Sequence, residues 1–182
     1  LVGSEMCIRD RYCFINNAAV AAQAFIDQGA SRVAILDVDF HHGNGTQDIF
    51  YNRSDVMFLS LHGDPKEAFP HFLGYADEKG SGDGEGFNFN FPMGPNTSFK
   101  TWGGALDQAC KKIANYSPDA LVISLGVDTF EHDPISFFKL QCDDFKRYGA
   151  TIGALKLPTL FIMEGGYAVE EIGVNAVNVL QG

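Results

Sequence analysis

The sequence predicts an α/β fold in which a mostly parallel sheet is covered by helices on both faces. Short apolar runs of the length of buried strands alternate with longer segments whose apolar residues recur every three or four positions. This alternation is typical of parallel sheets, because the crossover between two parallel strands usually contains a helix. The 182 residues contain no internal repeat and no low-complexity linker, so we expect one globular domain.

Four segments have the apolar spacing of helices. Residues 16–28 are rich in alanine, a strong helix former, and we expect this helix to end at Gly29. Three further helices are predicted for residues 97–116, 143–155 and 169–180. Together these helices would cover both faces of the sheet.

Five segments are predicted to be strands: residues 32–37, 56–61, 87–91, 119–125 and 159–163. Most of them are apolar throughout, as expected for strands buried on both faces. Residues 87–91 differ, because phenylalanine and asparagine alternate there. Successive strand side chains point to opposite faces, so this alternation predicts a strand nearer the edge.

Composition restricts the class of partner. Hydrophobic residues at 46% and charged residues at 20% are ordinary for a globular protein. The formal net charge of −10 argues against nucleic acid as a partner and is compatible with a small cationic substrate. No apolar run approaches the roughly 20 residues of a membrane helix, so we expect no membrane partner.

The cysteines and residues 1–11 indicate the cellular compartment of the protein. The four cysteines form no Cys-x-x-Cys and no close pair, which argues against a disulfide framework or a thiolate zinc site. Residues 1–11 are charged and lack the apolar core of a secretory signal, so we expect a cytoplasmic location. The same residues have no periodicity linking them to the segment after them, and are predicted to be a non-native segment or a disordered tail.

Polar residues at the end of the first predicted strand indicate a metal site. Asp37, Asp39 and His41 follow an apolar run and are predicted to share one face of this strand, because alternate strand side chains point the same way. Such groups are costly to bury without partners or a cation. Residues 43–45 contain two glycines and should end the strand, which places these groups where open α/β sheets bind ligands. The alternative is that Asp39 and His41 form a hydrogen-bonded structural pair.

Two other predicted strands also end in polar residues. Asp128 follows residues 120–125, and Tyr167 follows two glycines after the last strand. Asp39, His41 and Asp128 together would leave an open coordination position, as catalytic zinc requires, although this donor set also suits iron(II), cobalt or manganese. Taken singly, Asp128 could be a turn or cap residue and Tyr167 a packing residue.

Five motifs occur in order along the chain, at residues 12–17, 37–45, 60–62, 125–128 with 133–134, and 164–167. In this combination the chain resembles the histone deacetylase and acetylpolyamine amidohydrolase family over residues 12–182. The resemblance implies a three-layer α/β/α fold of the arginase-deacetylase type, represented by its C-terminal portion. It also implies hydrolysis of an N-acetyl amide by one zinc ion.

The resemblance implies roles for individual residues. Asp39, His41 and Asp128 would be the zinc ligands, and the Tyr167 hydroxyl would donate to the substrate carbonyl. Charge builds on that oxygen during attack by water, and a positioned donor stabilises it. His42 is interpreted as a packing or supporting histidine, not a ligand.

Further roles are implied for residues around the zinc ligands. Tyr12 and Phe69 would form the aromatic walls of a substrate tunnel. A structural potassium ion would be held by Asp37, Ser60, Leu61 and the backbone near the zinc ligands, and a second by carbonyls around Phe50, Arg53 and Val56. Asp37 and Asn44 would also orient the two active-site histidines of the family.

The sequence departs from the family pattern at its start. Members carry a tandem histidine, their general base and acid, shortly before the motif at 12–17, and here residues 1–11 occupy that place. No general base is therefore present, and a proton acceptor of this kind contributes about 10²–10⁴ in rate. We expect residues 12–182 to be a partial, inactive deacetylase domain. Whether the full-length protein forms a homodimer is a question that the sequence leaves open.

Details favour the acetylpolyamine branch of the family, and hence a small cationic acetylated amide as substrate. The loop at residues 62–78, Asn44, and Glu164 before the glycines resemble that branch more than histone-directed enzymes. The acidic side chains between positions 64 and 85 could attract a polycation, or they could form a solvated face. The alternatives are an acetyl-lysine protein deacetylase, a two-metal ureohydrolase with a second metal held by further carboxylates near Asp128 and His132, and a non-catalytic metal-binding module for acetylated ligands.

Overall fold

A computed structural model of the chain describes residues 15–182, which form five strands and five α-helices. The strands are β1 (Val33–Asp37), β2 (Val56–Gly63), β3 (Asn88–Met93), β4 (Ala120–Leu125) and β5 (Thr159–Met163). The helices are α1 (Asn17–Asp27), α2 (Asn44–Phe50), α3 (Phe99–Tyr116), α4 (Cys142–Gly153) and α5 (Ile172–Gln181). One 3₁₀ turn covers Gly82–Gly84.

The strands form one sheet in the order β3-β2-β1-β4-β5, and all four neighbouring pairs are parallel. β1 therefore lies at the centre, and β3 lies at one edge, as its alternating sequence predicted. β5 lies at the opposite edge with Leu160 and Met163 exposed. The predicted parallel sheet is confirmed.

Each face of the sheet has its own apolar core, because side chains alternate along every strand. In β1, Val33 and Ile35 pack on one face with apolar residues of α1 and α2. Ala34 and Leu36 pack on the opposite face with residues of α3, α4 and α5. This arrangement confirms the predicted three layers. Among the described residues, no helix has the length and apolarity needed to cross a bilayer.

Helix ends follow local chemistry. The Asn16 side chain caps α1 by accepting the Ala19 N–H at 2.7 Å, and Gly29 follows the helix with a φ of +102°, a conformation that favours glycine. Gln141 and Asp144 form a reciprocal capping box at the start of α4.

The predicted boundaries differ little from the observed ones. The largest difference is at the last helix, which was expected from position 169 and begins at Ile172. The short helix α2 was not predicted: residues 43–45 were expected to end the strand, but β1 already ends at Asp37, and Asn44 and Gly45 form the start of α2. The predictions for residues 1–11 and for Tyr12 concern positions outside the described residues.

Candidate metal centre

Three loops at the carboxyl edge of the sheet carry the predicted site residues. Residues 38–43 follow β1, residues 126–133 follow β4, and residues 164–167 follow β5. β4 lies between β1 and β5, in parallel register with both. The carboxyl ends of neighbouring parallel strands lie side by side, so the three loops meet.

The structure brings Asp39, His41 and Asp128 together as one buried group. One potential ligand atom from each lies within 4.8 Å of the others. The imidazole Nδ1 of His41 is 3.0 Å from Oδ2 of Asp128 and 3.4 Å from Oδ1 of Asp39. The three residues that the sequence singled out as metal ligands are therefore adjacent.

The local route to this geometry differs from the predicted one. β1 ends at Asp37, so Asp39 and His41 lie in a loop and not on one face of a strand. The Asp39 N–H donates to Oδ1 of Asp37 at 3.1 Å, and the His41 N–H donates to Oδ1 of Asp39 at 2.8 Å. These carboxylates bond the backbone in place of the strand ladder, which is a common turn geometry for aspartate. The prediction of a continuing strand was wrong.

Backbone donors from other loops fix the two carboxylates. The Phe40 N–H donates to Oδ1 of Asp128 at 2.8 Å, and the Gly165 N–H donates to Oδ2 of Asp39 at 2.9 Å. Such bonds orient carboxylate oxygens toward a common point, as partners of metal ligands do.

Two glycines allow these loops to approach. A Cβ at Gly126 would lie 2.3 Å from Oδ2 and 2.5 Å from Cα of Asp39. A Cβ at Gly165 would lie 2.7 Å from Oδ2 of Asp39 and 2.8 Å from Oδ2 of Asp128. Any side chain at either position would therefore displace the carboxylates.

The electrostatics of the group favour a cation. Burial lowers the pKa of His41, but hydrogen bonds to Asp128 and Asp39 outweigh burial and raise it from 6.5 to about 9. Burial, together with the Asp39 carboxylate, raises the pKa of Asp128, and the His41 contact opposes that rise. Asp37 is buried beside them. In the absence of metal this group therefore retains a proton near neutral pH.

The donor set fits zinc. Zinc binds imidazole nitrogen and carboxylate oxygen at about 2.0–2.2 Å, which separates the donors of a tetrahedral ion by about 3.3–3.5 Å. The distances of 3.0 Å and 3.4 Å around His41 Nδ1 are close to that separation. Three protein donors leave one position for water or substrate. Iron(II) and cobalt accept the same donors.

Tyr167 lies at the end of a segment that is bonded to both ligand loops: the Gly165 N–H donates to Asp39, and two further bonds join the segment to residues 126–133. The Val127 N–H donates to the Gly165 carbonyl at 2.8 Å, and the Tyr167 N–H donates to Oδ2 of Asp133 at 2.8 Å. Tyr167 is 41% exposed. Nearby, Glu164 accepts a hydrogen bond from Ser124 Oγ at 2.9 Å.

The predicted supporting residues are buried. Asn44 is fully buried at the start of α2, Leu61 is buried in β2, and Asp37 lies opposite Ser60 in the β1–β2 register. Ser60 Oγ lies 2.9 Å from Nδ1 of His62. A potassium ion at Asp37 and Ser60 stays a prediction.

The remaining predicted residues lie farther along the chain. Phe69 is half-buried in the loop between β2 and β3. Its tunnel partner Tyr12 lies outside the described residues. The Phe50 carbonyl, offered for a second potassium ion, accepts the Arg53 N–H at 3.0 Å.

Sequence reasoning missed a buried polar network beneath the centre. His42 Nε2 lies 3.1 Å from Oδ1 of Asn90, and its ring centroid is 4.5 Å from that of His62. Gln47 donates to Glu78 at 2.7 Å and accepts from Asn90 at 2.8 Å. His42 therefore packs within this network, and a supporting role for it at the metal centre stays a prediction. The polar asparagines of the edge strand β3 were the available signal.

Glu78 is one of the acids between positions 64 and 85 that could attract a polycation or form a solvated face. In the structure its Oε2 accepts from Gln47 and, at 2.9 Å, from the Gly74 N–H. Its role in the structure is to hold the loop after β2 on the network. Asp77, Asp83 and Glu85 are exposed.

The two-metal alternative would need a second group of donors near Asp128 and His132, and no second group of three or more is found in the part of the chain that the structure describes. Among residues 15–182, the only group of three or more side chains placed to hold a metal is the Asp39, His41 and Asp128 group. His132 is exposed and packs edge-on against Phe130, with ring centroids 5.3 Å apart.

Fold and site together define an α/β protein with a candidate metal-binding group, Asp39, His41 and Asp128, at the carboxyl edge of a parallel sheet. The histone deacetylase domain matches residues 9–182, and the chain belongs to this family. The resemblance predicted from the five motifs is thereby confirmed.

Individual relatives agree with this assignment. Acetylpolyamine amidohydrolase 1 of Pseudomonas aeruginosa is 67% identical over 171 residues, which are 94% of this chain and 49% of that protein. The acetylpolyamine amidohydrolase of Mycoplana ramosa is 64% identical over 171 residues, 94% of this chain and 50% of that protein. The crystal structure of the acetylpolyamine aminohydrolase from Burkholderia pseudomallei matches with a TM-score of 0.90 at 45% identity, covering 93% of this chain and 49% of the other. The chain thus spans about half the length of these relatives.

Proposed function

We propose that this chain carries the zinc centre of a deacetylase that hydrolyses N-acetyl amides of small cationic, polyamine-like substrates. The observation that carries the proposal is the buried Asp39, His41 and Asp128 group, whose nearest donor atoms are 3.0 Å and 3.4 Å from His41 Nδ1. Membership of the histone deacetylase domain family supports the reaction type.

The residues of the chain would divide the chemistry between them. Asp39, His41 and Asp128 would hold a zinc ion, which when bound supplies Lewis-acid polarisation of the amide carbonyl and activation of water. The Tyr167 hydroxyl would donate to the carbonyl oxygen, where negative charge builds as water adds. Such a donor contributes about 10²–10³ in rate when it is positioned before the reaction.

Proton transfer needs a further group. Hydrolysis of the amide yields acetate and an amine, so one proton must leave the attacking water and one must reach the departing nitrogen. The family assigns both steps to its tandem histidine, and in this sequence residues 1–11 stand in that place. We therefore propose that residues 15–182 bind the metal and the acyl group, and that turnover by this chain alone is weak or absent.

The polyamine preference is supported by similarity and charge. The curated relatives at 64% and 67% identity are named acetylpolyamine amidohydrolases. The net charge of −10 and the exposed acids Asp77, Asp83 and Glu85 would favour a polycation over an anionic ligand.

Metal stoichiometry and product release test the proposal. The chain is titrated with zinc by calorimetry, and acetate release is measured with an N-acetylated diamine and with an acetyl-lysine peptide. We expect one zinc per chain and, where turnover is detectable, faster release from the diamine. Two metals per chain would support the ureohydrolase alternative and contradict the proposal.

The other outcomes separate the remaining alternatives. Faster release from the peptide would favour the protein deacetylase. One bound zinc, with binding of the acetylated diamine but no acetate release by the full-length protein, would support a non-catalytic metal-binding module. Absence of zinc binding would overturn the metal centre itself.

A further inference from the structure

Asp133 bonds the main chain of Tyr167 from a distant part of the sequence. Its Oδ2 accepts the Tyr167 N–H at 2.8 Å across 34 positions, and its Oδ1 accepts the Ile135 N–H at 3.0 Å. The carboxylate is buried, with the residue only 5% exposed. The Asp133 N–H donates in turn to the Phe130 carbonyl at 3.0 Å, which fixes the carboxylate within its own loop.

Tyr167 needs such an anchor. It follows Gly165 and Gly166, and glycines give a segment more conformational freedom than other residues. Neither glycine can be replaced to stiffen the segment, because a Cβ at Gly165 would lie 2.7 Å from Asp39 and one at Gly166 would lie 2.6 Å from Val127. The tyrosine is 41% exposed, so packing covers it only in part.

The anchor and a metal ligand belong to one loop. Asp128 and Asp133 both lie in residues 126–133, and the Val127 N–H of that loop donates to the Gly165 carbonyl at 2.8 Å. A shift of the loop would therefore carry the ligand and the tyrosine anchor together, which keeps the separation between them.

We propose that Asp133 is a positioning residue that sets the Tyr167 hydroxyl relative to the metal centre by holding the Tyr167 main chain. The inference rests on the proposed function for the role of that hydroxyl. A carboxylate suits this task because it accepts two N–H donors at once. The competing role is structural: the bond to Ile135 alone forms a local turn that would stabilise the loop without any effect on Tyr167.

The substitution Asp133→Asn tests the proposal, because its amide keeps one acceptor and sets an NH₂ group against the other N–H. We expect unchanged zinc stoichiometry, weaker binding of acetate to the zinc-loaded chain and, where turnover is measurable, a kcat lowered by about 10²-fold at similar KM, since small misplacements cost about that much. Asp143→Asn, at an exposed aspartate on α4, is the matched control and should change neither the acetate affinity nor kcat.

A double-mutant cycle separates positioning from structure. In a Tyr167→Phe background, Asp133→Asn should have no further effect on acetate affinity, because the hydroxyl that it positions is gone. Equal losses in both backgrounds would overturn the proposal in favour of a structural role. If Tyr167→Phe alone changes neither acetate affinity nor kcat, the proposed function of Tyr167 fails, which is a separate result.

A measurement on the unsubstituted chain covers the case in which Asp133→Asn does not fold. Hydrogen exchange followed by NMR should show the Tyr167 amide protected, because it donates to a buried carboxylate although its side chain is exposed. Exchange at the rate of an open loop would overturn the proposal.

Discussion

The imidazole Nδ1 of His41 lies 3.0 Å from Oδ2 of Asp128, although 87 positions separate the two residues in sequence. The contact exists because β1 and β4 are neighbours in the sheet and their loops leave the same edge. It joins the two halves of the proposed metal centre, so the metal affinity and the pH response of the chain should both depend on it.

Removal of one proposed ligand should abolish tight zinc binding. In Asp128→Ala we expect the zinc affinity to fall by more than about 10²-fold, because loss of even an outer partner of a ligand costs 10–100-fold. His132→Ala, which removes an exposed histidine four positions away, is the control and should bind zinc normally. Calorimetric titration measures both. Equal affinities in the two variants would show that the metal lies elsewhere.

Zinc binding should release a proton near neutral pH. The pKa of His41 is raised to about 9, so its imidazole is protonated at pH 7 in the metal-free chain and must lose that proton to coordinate. We expect release of about one proton at pH 7 and a smaller release above pH 9. Calorimetry in buffers of different ionisation enthalpy measures this number. Identical heats in all buffers at pH 7 would contradict the prediction.

The metal-free chain should lose stability as the pH rises from 6.5 through about 9. The pKa of His41 is higher in the folded state, at about 9, than its ordinary value of 6.5. The contribution of His41 to the free energy of unfolding is therefore complete below pH 6.5, and it disappears as His41 loses its proton in the folded state. Thermal unfolding in chelator across this range should show a falling Tm. His41→Ala should flatten the profile, and a flat profile in the unsubstituted chain would refute the assignment.

Gly126 should tolerate no side chain. In Gly126→Ala the new Cβ would meet Cα of Asp39 at 2.5 Å, which is backbone and cannot rotate away. We expect a clear loss of both stability and zinc affinity. Gly104→Ala is the matched control, because a Cβ there meets nothing within 4 Å and alanine favours the interior of α3. Urea unfolding and zinc titration of the pair provide the measurement, and equal behaviour would contradict the close approach.

Two buried tyrosines should respond differently to loss of their hydroxyls. The Tyr116 hydroxyl donates to the Ser54 carbonyl at 2.7 Å, so Tyr116→Phe should lower the free energy of unfolding by about 1 kcal/mol. The Tyr148 hydroxyl is buried with no hydrogen-bond partner among the described residues, so Tyr148→Phe should be neutral or stabilising. Urea unfolding compares the two variants. A larger loss in Tyr148→Phe would reverse the assignment.

Local patterns were sufficient for most elements and insufficient for some features of the site. The helix α2 escaped prediction because its seven residues contain few apolar positions. Glu78 resembled a solvated acid because its partner Gln47 lies 31 positions away. Asp39 and His41 were placed on a strand because an alternating pattern does not reveal hydrogen bonds from the backbone to side chains. In the structure the Asp39 N–H donates to the Asp37 carboxylate, and the His41 N–H donates to the Asp39 carboxylate.

By itself, the sequence determined the type and order of the strands and of the helices other than α2, the polar groups that follow three of the strands, and the family motifs. These properties depend on local periodicity and on residue chemistry. Only the tertiary structure decided which atoms meet: His41 with Asp128, Gly165 with Asp39, and Asp133 with Tyr167. The physical reason is that parallel strands adjacent in a sheet are distant in the chain, so the contacts between their loops depend on strand order, which no local pattern contains.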